Sequence, residues 1–155
     1  MSGDEAGGEM RPAGAAELSR VLGACSAGVL GFYGWYFTVV LPYVQQEEAV
    51  PLWVWAVTFG LIPLGVSIGG SLASRPLLTL GVGVFTAALR MTMTFALAHH
   101  RAPGFLQATV HDGAAMDLLW MLIVESSVWA ALAFLSFKVG AALRRRRAPR
   151  LSHAG

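Results

Sequence analysis

One cysteine and one lysine are all that this 155-residue chain holds of either type, and charge of any sign is scarce, at 13% of residues. A soluble domain carries about 25%. The lone Cys25 excludes an internal disulfide, a CxxC redox pair and a zinc site built on several cysteines. Thiol–disulfide exchange between paired cysteines is therefore not this chain's chemistry. No HExxH segment is present to hold a catalytic metal. What fills the chain instead is apolar: 55% hydrophobic residues and a mean hydropathy of +0.60. Its length leaves no room for a large soluble domain beside the apolar part.

Four apolar runs are legible, roughly 20–44, 52–73, 77–98 and 118–142. About 20 residues of helix cross a 30 Å hydrocarbon core. In lipid only helices and closed barrels satisfy every backbone group, and these runs show no alternation with a period of two. The sequence thus predicts an all-α fold, an antiparallel four-helix bundle in the membrane, over residues 18–143. Residues 1–17, "MSGDEAGGEMRPAGAAE", are small, polar and without apolar periodicity, and are expected to form a disordered cytoplasmic tail. They do not resemble a signal peptide, because their charge is mainly acidic and the apolar run comes late. Residues 144–155 are expected to be a basic cytoplasmic tail.

Orientation follows from the arginines near the ends of the runs. Arg11, Arg20, Arg75, Arg144 to Arg147 and Arg150 fall on one side. Arg101 stands on the other, beside Glu47, Glu48, Asp112 and Asp117. This asymmetry predicts a multi-pass protein of the cell membrane with both termini cytoplasmic. Tyr43, Trp53, Trp55 and Trp120 then sit at the outer interface, where aromatic side chains collect. Small residues at a spacing of four, namely Gly23, Ala27 and Gly31, Gly65 and Gly69, and Gly83 and Ala87, suit close helix packing inside the bundle. Pro42 and Pro63 are expected to bend their helices.

The stretch "TAALRMTMTF", residues 86–95, puts Arg90 in mid-run. A lone arginine at the centre of a bilayer costs between about 2.5 and 17 kcal/mol, depending on method. Glu125, in "MLIVESSVW", is the one acid well inside a run. Arg90 lies eight residues before Ala98, and Glu125 seven after Leu118. At about 1.5 Å per residue both are roughly 11–12 Å below the same surface, so neighbouring antiparallel helices bring them face to face. Thr79, Gly83, Thr86, Arg90, Met93 and Leu97 form one helical stripe of small and hydroxyl residues, suited to helix contact rather than lipid. The candidate catalytic layer is Glu125, Arg90 and Tyr36. Tyr33, Phe59 and Trp129 are candidate binding residues at a similar depth.

The third connection gathers His99, His100, His111, Asp112 and Asp117. Adjacent histidines seldom ligate one ion, so this is read as a solvated loop with no metal, and no cofactor is expected. Residues 105–110 have the spacing of a short interfacial helix. "RRRRAPR" acts as a stop-transfer anchor that can also attract anionic headgroups; with no aromatic platform beside it, nucleic acid is not an expected partner.

Three functions fit these residues. One is a structural or accessory role in a homo-oligomer or larger membrane complex, with the Arg90–Glu125 pair fixing helix register. Another is a membrane-embedded enzyme on a lipidic or isoprenoid substrate, with Glu125 as general acid or base and Arg90 and Tyr36 orienting charge. The third is a small proton-coupled transporter with Glu125 as the titrating group. A cavity lined by Glu125, Tyr36 and the aromatics favours the enzyme, a water path to both faces favours transport, and a dry packed layer favours the accessory role.

Overall fold

Residues 12–101 and 115–147 are described by the computed structural model. Helix α1, Pro12–Trp35, continues through a π-helical turn, Tyr36–Val40, into the short α2, Leu41–Gln45. Together they make one rod. Then follow α3, Leu52–Leu72, α4, Pro76–Arg101, and α5, Ala115–Arg147. No strand occurs among the described residues. The fold is an all-α antiparallel bundle, and its rod and three long helices are each long and apolar enough to cross a membrane. Each apolar run of the sequence falls within one of them, save that Ala73 lies one residue past the end of α3. The amphipathic segment expected at 105–110 lies outside the described residues, as do His111 and Asp112.

Around the bundle the order is α1, α3, α5, α4, with α4 packed chiefly on α5, α1 on α3, and α3 on α5. The seam between α1 and α4 is the loosest of the four. The core is made of medium and small side chains, among them Val21, Cys25, Val29, Val66, Val82 and Ala133. Such residues let backbones approach where lipid offers no hydrophobic drive for association. At the α1–α3 crossing a Cβ on Gly65 would stand 2.8 Å from the Cα of Gly28. At the α4–α5 crossing a Cβ on Gly83 would stand 2.5 Å from the Ser126 carbonyl oxygen and 2.6 Å from the Ala130 Cβ.

Gly65, Gly69, Gly83 and Ala87 are buried, as their spacing suggests. In α1 the contact belongs to Gly28, and the stripe expected there is turned away: Gly23 and Ala27 are exposed, and Gly23 and Gly31 meet nothing within 4 Å. A spacing of four fixes a stripe but not which way it faces, and lipid tolerates the small residues that a neighbouring helix would use.

The end that carries Arg20, Arg75 and Arg144 is called the basic end below. There the tight α3–α4 turn is clamped from both sides. Glu17 accepts the Ser74 backbone N–H at 2.6 Å and its hydroxyl at 2.9 Å. Arg144 donates to the carbonyls of Ser71 at 2.6 Å and Ala73 at 3.2 Å, groups that the C-terminus of α3 leaves without helical partners. Residues 12–17 and 144–147 are accordingly helical, where the sequence suggested tails. Both charges look solvent-bound in sequence because their partners belong to a distant turn.

Candidate functional site

Arg90 on α4 and Glu125 on α5 form an ion pair, Nη2 to Oε1, the only one between described side chains. The register is set by Gly83, which lets α4 lie directly on α5 two turns away. Thr79, Gly83 and Thr86 of the α4 stripe are buried, and Arg90, Met93 and Leu97 are half-buried. The pair neutralises two charges but leaves polar capacity unspent. Arg90 Nε and Glu125 Oε2 are buried without a hydrogen-bond partner, and so is the indole N–H of Trp129. Groups of this kind are costly to leave unmet.

The two members of the pair are not equally enclosed. The Glu125 side chain is 18% exposed and that of Arg90 32%. Arg90's open side faces a cleft of about 300 Å³ in the loose α1–α4 seam. Tyr33, Tyr36 and Phe37 line it from the first rod, and Arg90, Thr94 and Leu97 from α4. Its walls are aromatic and its one charged group is the guanidinium.

The aromatic wall comes from "FYGWYF", residues 32–37, and from the π-helical turn that follows. Pro42 has no N–H to give the Thr38 carbonyl, and its ring crowds that carbonyl in a regular α-helix. The wider turn relieves this, and the Leu41 N–H bonds the Tyr36 carbonyl. Turns of this type recur at functional sites. Here it carries Tyr36 and Phe37 to the cleft. Phe32 stacks on Tyr36, with centroids 6.4 Å apart and planes at 18°, and meets Tyr33 edge-on at 5.1 Å.

Tyr33, rather than Tyr36, is tied to the arginine. Its hydroxyl donates to the Arg90 carbonyl at 3.0 Å and lies 2.6 Å from Thr94 Oγ1. Thr94 in turn reaches the same carbonyl at 2.9 Å. Two hydroxyl protons thus serve three short contacts. This knot fixes α1 against α4 at the depth of the ion pair and holds the cleft open beside it. Tyr36 lines the cleft one turn further from the basic end.

The remaining sequence candidates are placed differently. Trp129 packs half-buried against the core cluster. Phe59 is 67% exposed and stacks on Trp55, centroids 5.6 Å apart, on the outer face of α3. It does not join the layer, because α3 sits diagonally across the bundle from α4. Thr94 was not legible as a site residue, although a hydroxyl four residues after a buried arginine is a usable signal. Phe37 was missed because the π-helical turn sets its direction. Among the described residues no three His, Cys, Asp or Glu side chains converge as a metal site would require. His99 and His100 lie exposed in the last turn of α4.

No family model matches this sequence, and neither a curated protein nor a solved structure matches it.

Proposed function

We propose that this chain is a four-pass protein of the cell membrane that binds a lipid-like amphiphile in the α1–α4 cleft, its acidic or polar head at Arg90. One observation supports this above the others: the single charged group of an aromatic cleft is a guanidinium whose own counter-charge approaches from behind. Aromatic and aliphatic walls suit a hydrocarbon chain or ring system. The exposed part of the Arg90 guanidinium suits an oxygen acceptor. An enzymatic role for Glu125 is less well supported, since its Oε1 is taken by Arg90 and Tyr36, not Glu125, borders the cleft.

The test is occupancy. Protein purified in mild detergent should carry an acidic amphiphile, extractable and close to one per chain. Leu97→Trp fills the cleft without touching the ion pair and should release most of it while leaving thermal stability within a few degrees. Equal amphiphile content in the two proteins would refute the cleft as its seat.

In this reading the basic end is cytoplasmic, because arginine is retained on that side, and the cleft opens to the outer leaflet. A cysteine placed at His100 should react with a membrane-impermeant maleimide in intact cells, and one placed at Arg146 should not. The opposite pattern would invert the topology.

An accessory role in a larger membrane assembly rests on a separate feature. Ala16, Gly23, Ala27 and Gly34 lie exposed along α1, a face on which another helix can come close.

A further inference from the structure

On the other flank of α4 from the cleft, the α4–α5 seam forms a trough. Two adjoining hollows, of about 510 and 350 Å³, share Leu80, Ser127 and Ala130 and so run into one another. The trough exists because the seam is floored by small residues where Gly83 draws the helices together, while Leu77, Leu80, Ile123 and Phe134 stand up as its banks. Its α5 wall runs from Leu122 to Phe134, about 18 Å at 1.5 Å per residue. That is close to the hydrocarbon depth of one leaflet, half of about 30 Å. Two of the hydroxyls in it are already spent: Thr79 donates to the Pro76 carbonyl at 2.6 Å and Ser127 to that of Ile123 at 2.7 Å. The trough therefore offers its occupant mainly apolar contact.

Its mouth is different. Lys138, the chain's single lysine, lies over the Phe134 ring, 5.1 Å from the centroid. The register that sets Gly83 against Ser126 and Ala130 brings Phe134 and Lys138 level with Pro76 and Arg75. Both cations are exposed, and neither has an ion-pair partner among the described residues. The nearby acid, Glu17, is hydrogen-bonded to Ser74 and feels the charges of Arg75 and Arg144 without pairing directly with Arg75. The N-terminus of α4, with its positive end of the helix dipole, opens at the same level.

We propose that this trough seats an acyl chain of an anionic phospholipid from the leaflet at the basic end, its phosphate held by Lys138 and Arg75. A second copy of the chain is a poorer occupant, since two such faces would set cation against cation at the mouth.

Native mass spectrometry of the full chain, titrated with phosphatidylglycerol or phosphatidylcholine, tests this. Wild-type protein should retain phosphatidylglycerol preferentially. Lys138→Ala with Arg75→Ala should weaken that retention on the order of thirtyfold, the factor expected for two basic residues at a membrane surface, with phosphatidylcholine unaffected. Ala131→Trp, which blocks the trough at an exposed position, should lower retention of both lipids. Leu97→Trp, in the other cleft, should leave phosphatidylglycerol retention unchanged, which separates this seat from that one. Equal retention of the two lipids by wild type, or full retention by the doubly neutral variant, would overturn the proposal. So would an Ala131→Trp protein that changes from dimer to monomer with its lipid content intact, which would make the trough an interface between copies.

Discussion

Arg90→Met and Glu125→Gln, made singly, are each expected to lower stability in detergent by about 3–5 kcal/mol, the range for breaking a buried pair in soluble proteins. The double change should cost less than either single one. The reason is asymmetry. With Arg90 gone, Glu125 is left without its counter-charge in an apolar layer where Oε2 already lacks a partner. With both neutral, no charge is stranded. Polar groups also find partners in the unfolded membrane state, which lowers all three figures together. The charge swap, Arg90→Glu with Glu125→Arg, should recover part of the single-variant loss, though not all, because the longer arginine side chain would then start from the more enclosed of the two positions. Thermal unfolding of the four variants checks this. Single changes that cost no more than the double would show that the residues do not act as partners.

The second large effect is expected at Gly83→Leu. A Cβ at this position already falls 2.5 Å from the Ser126 carbonyl oxygen and 2.6 Å from the Ala130 Cβ. Both neighbours are fixed parts of a helix, so the strain is relieved only by moving α4 away from α5. Overpacking of this kind costs about 1–3 kcal/mol and more when backbone must move. There is a further consequence, because Ser126 adjoins Glu125 in sequence. Separation of the helices also stretches the ion pair, so the effect of Gly83→Leu includes part of the pair's contribution. Residues coupled through a shared backbone shift do not add. Gly83→Leu should therefore destabilise the wild type by more than it destabilises the Arg90→Met, Glu125→Gln background. Equal losses in the two backgrounds would mean that helix separation and ion pairing are independent.

The ion pair was legible in the sequence because hydrocarbon makes an uncompensated charge so costly. One arginine and one acid at matching depths leave little freedom, and a count of residues sufficed to join them. The helices were legible for the same reason, through the obligation to satisfy the backbone in lipid. Rotation of α1 about its own axis was not. In a soluble bundle the outward face is polar and reveals the phase. Here the outward face carries Leu30, Leu77, Leu80 and Val84 and is as apolar as the core. Gly28 could not be told from Gly23 as the residue that meets α3, nor Tyr33 from Tyr36 as the one tied to α4. Glu17 and Arg144 escaped for another reason. They bond a turn nearly 60 and more than 70 residues away, and nothing local in the sequence marks that turn as an acceptor or donor of such contacts. The cleft itself depends on the π-helical turn before Pro42, a backbone adjustment whose position a proline hints at but does not specify.

The amphiphile at Arg90 is tested most directly by determining the structure of the wild-type protein in lipid nanodiscs formed from a native membrane extract. Elongated density should lie in the α1–α4 cleft between Tyr36 and Leu97, with its polar end within hydrogen-bond distance of the Arg90 guanidinium and Glu125 still paired behind it. A cleft closed by its own side chains would contradict that arrangement, as would an acyl chain lying with its methyl end toward Arg90.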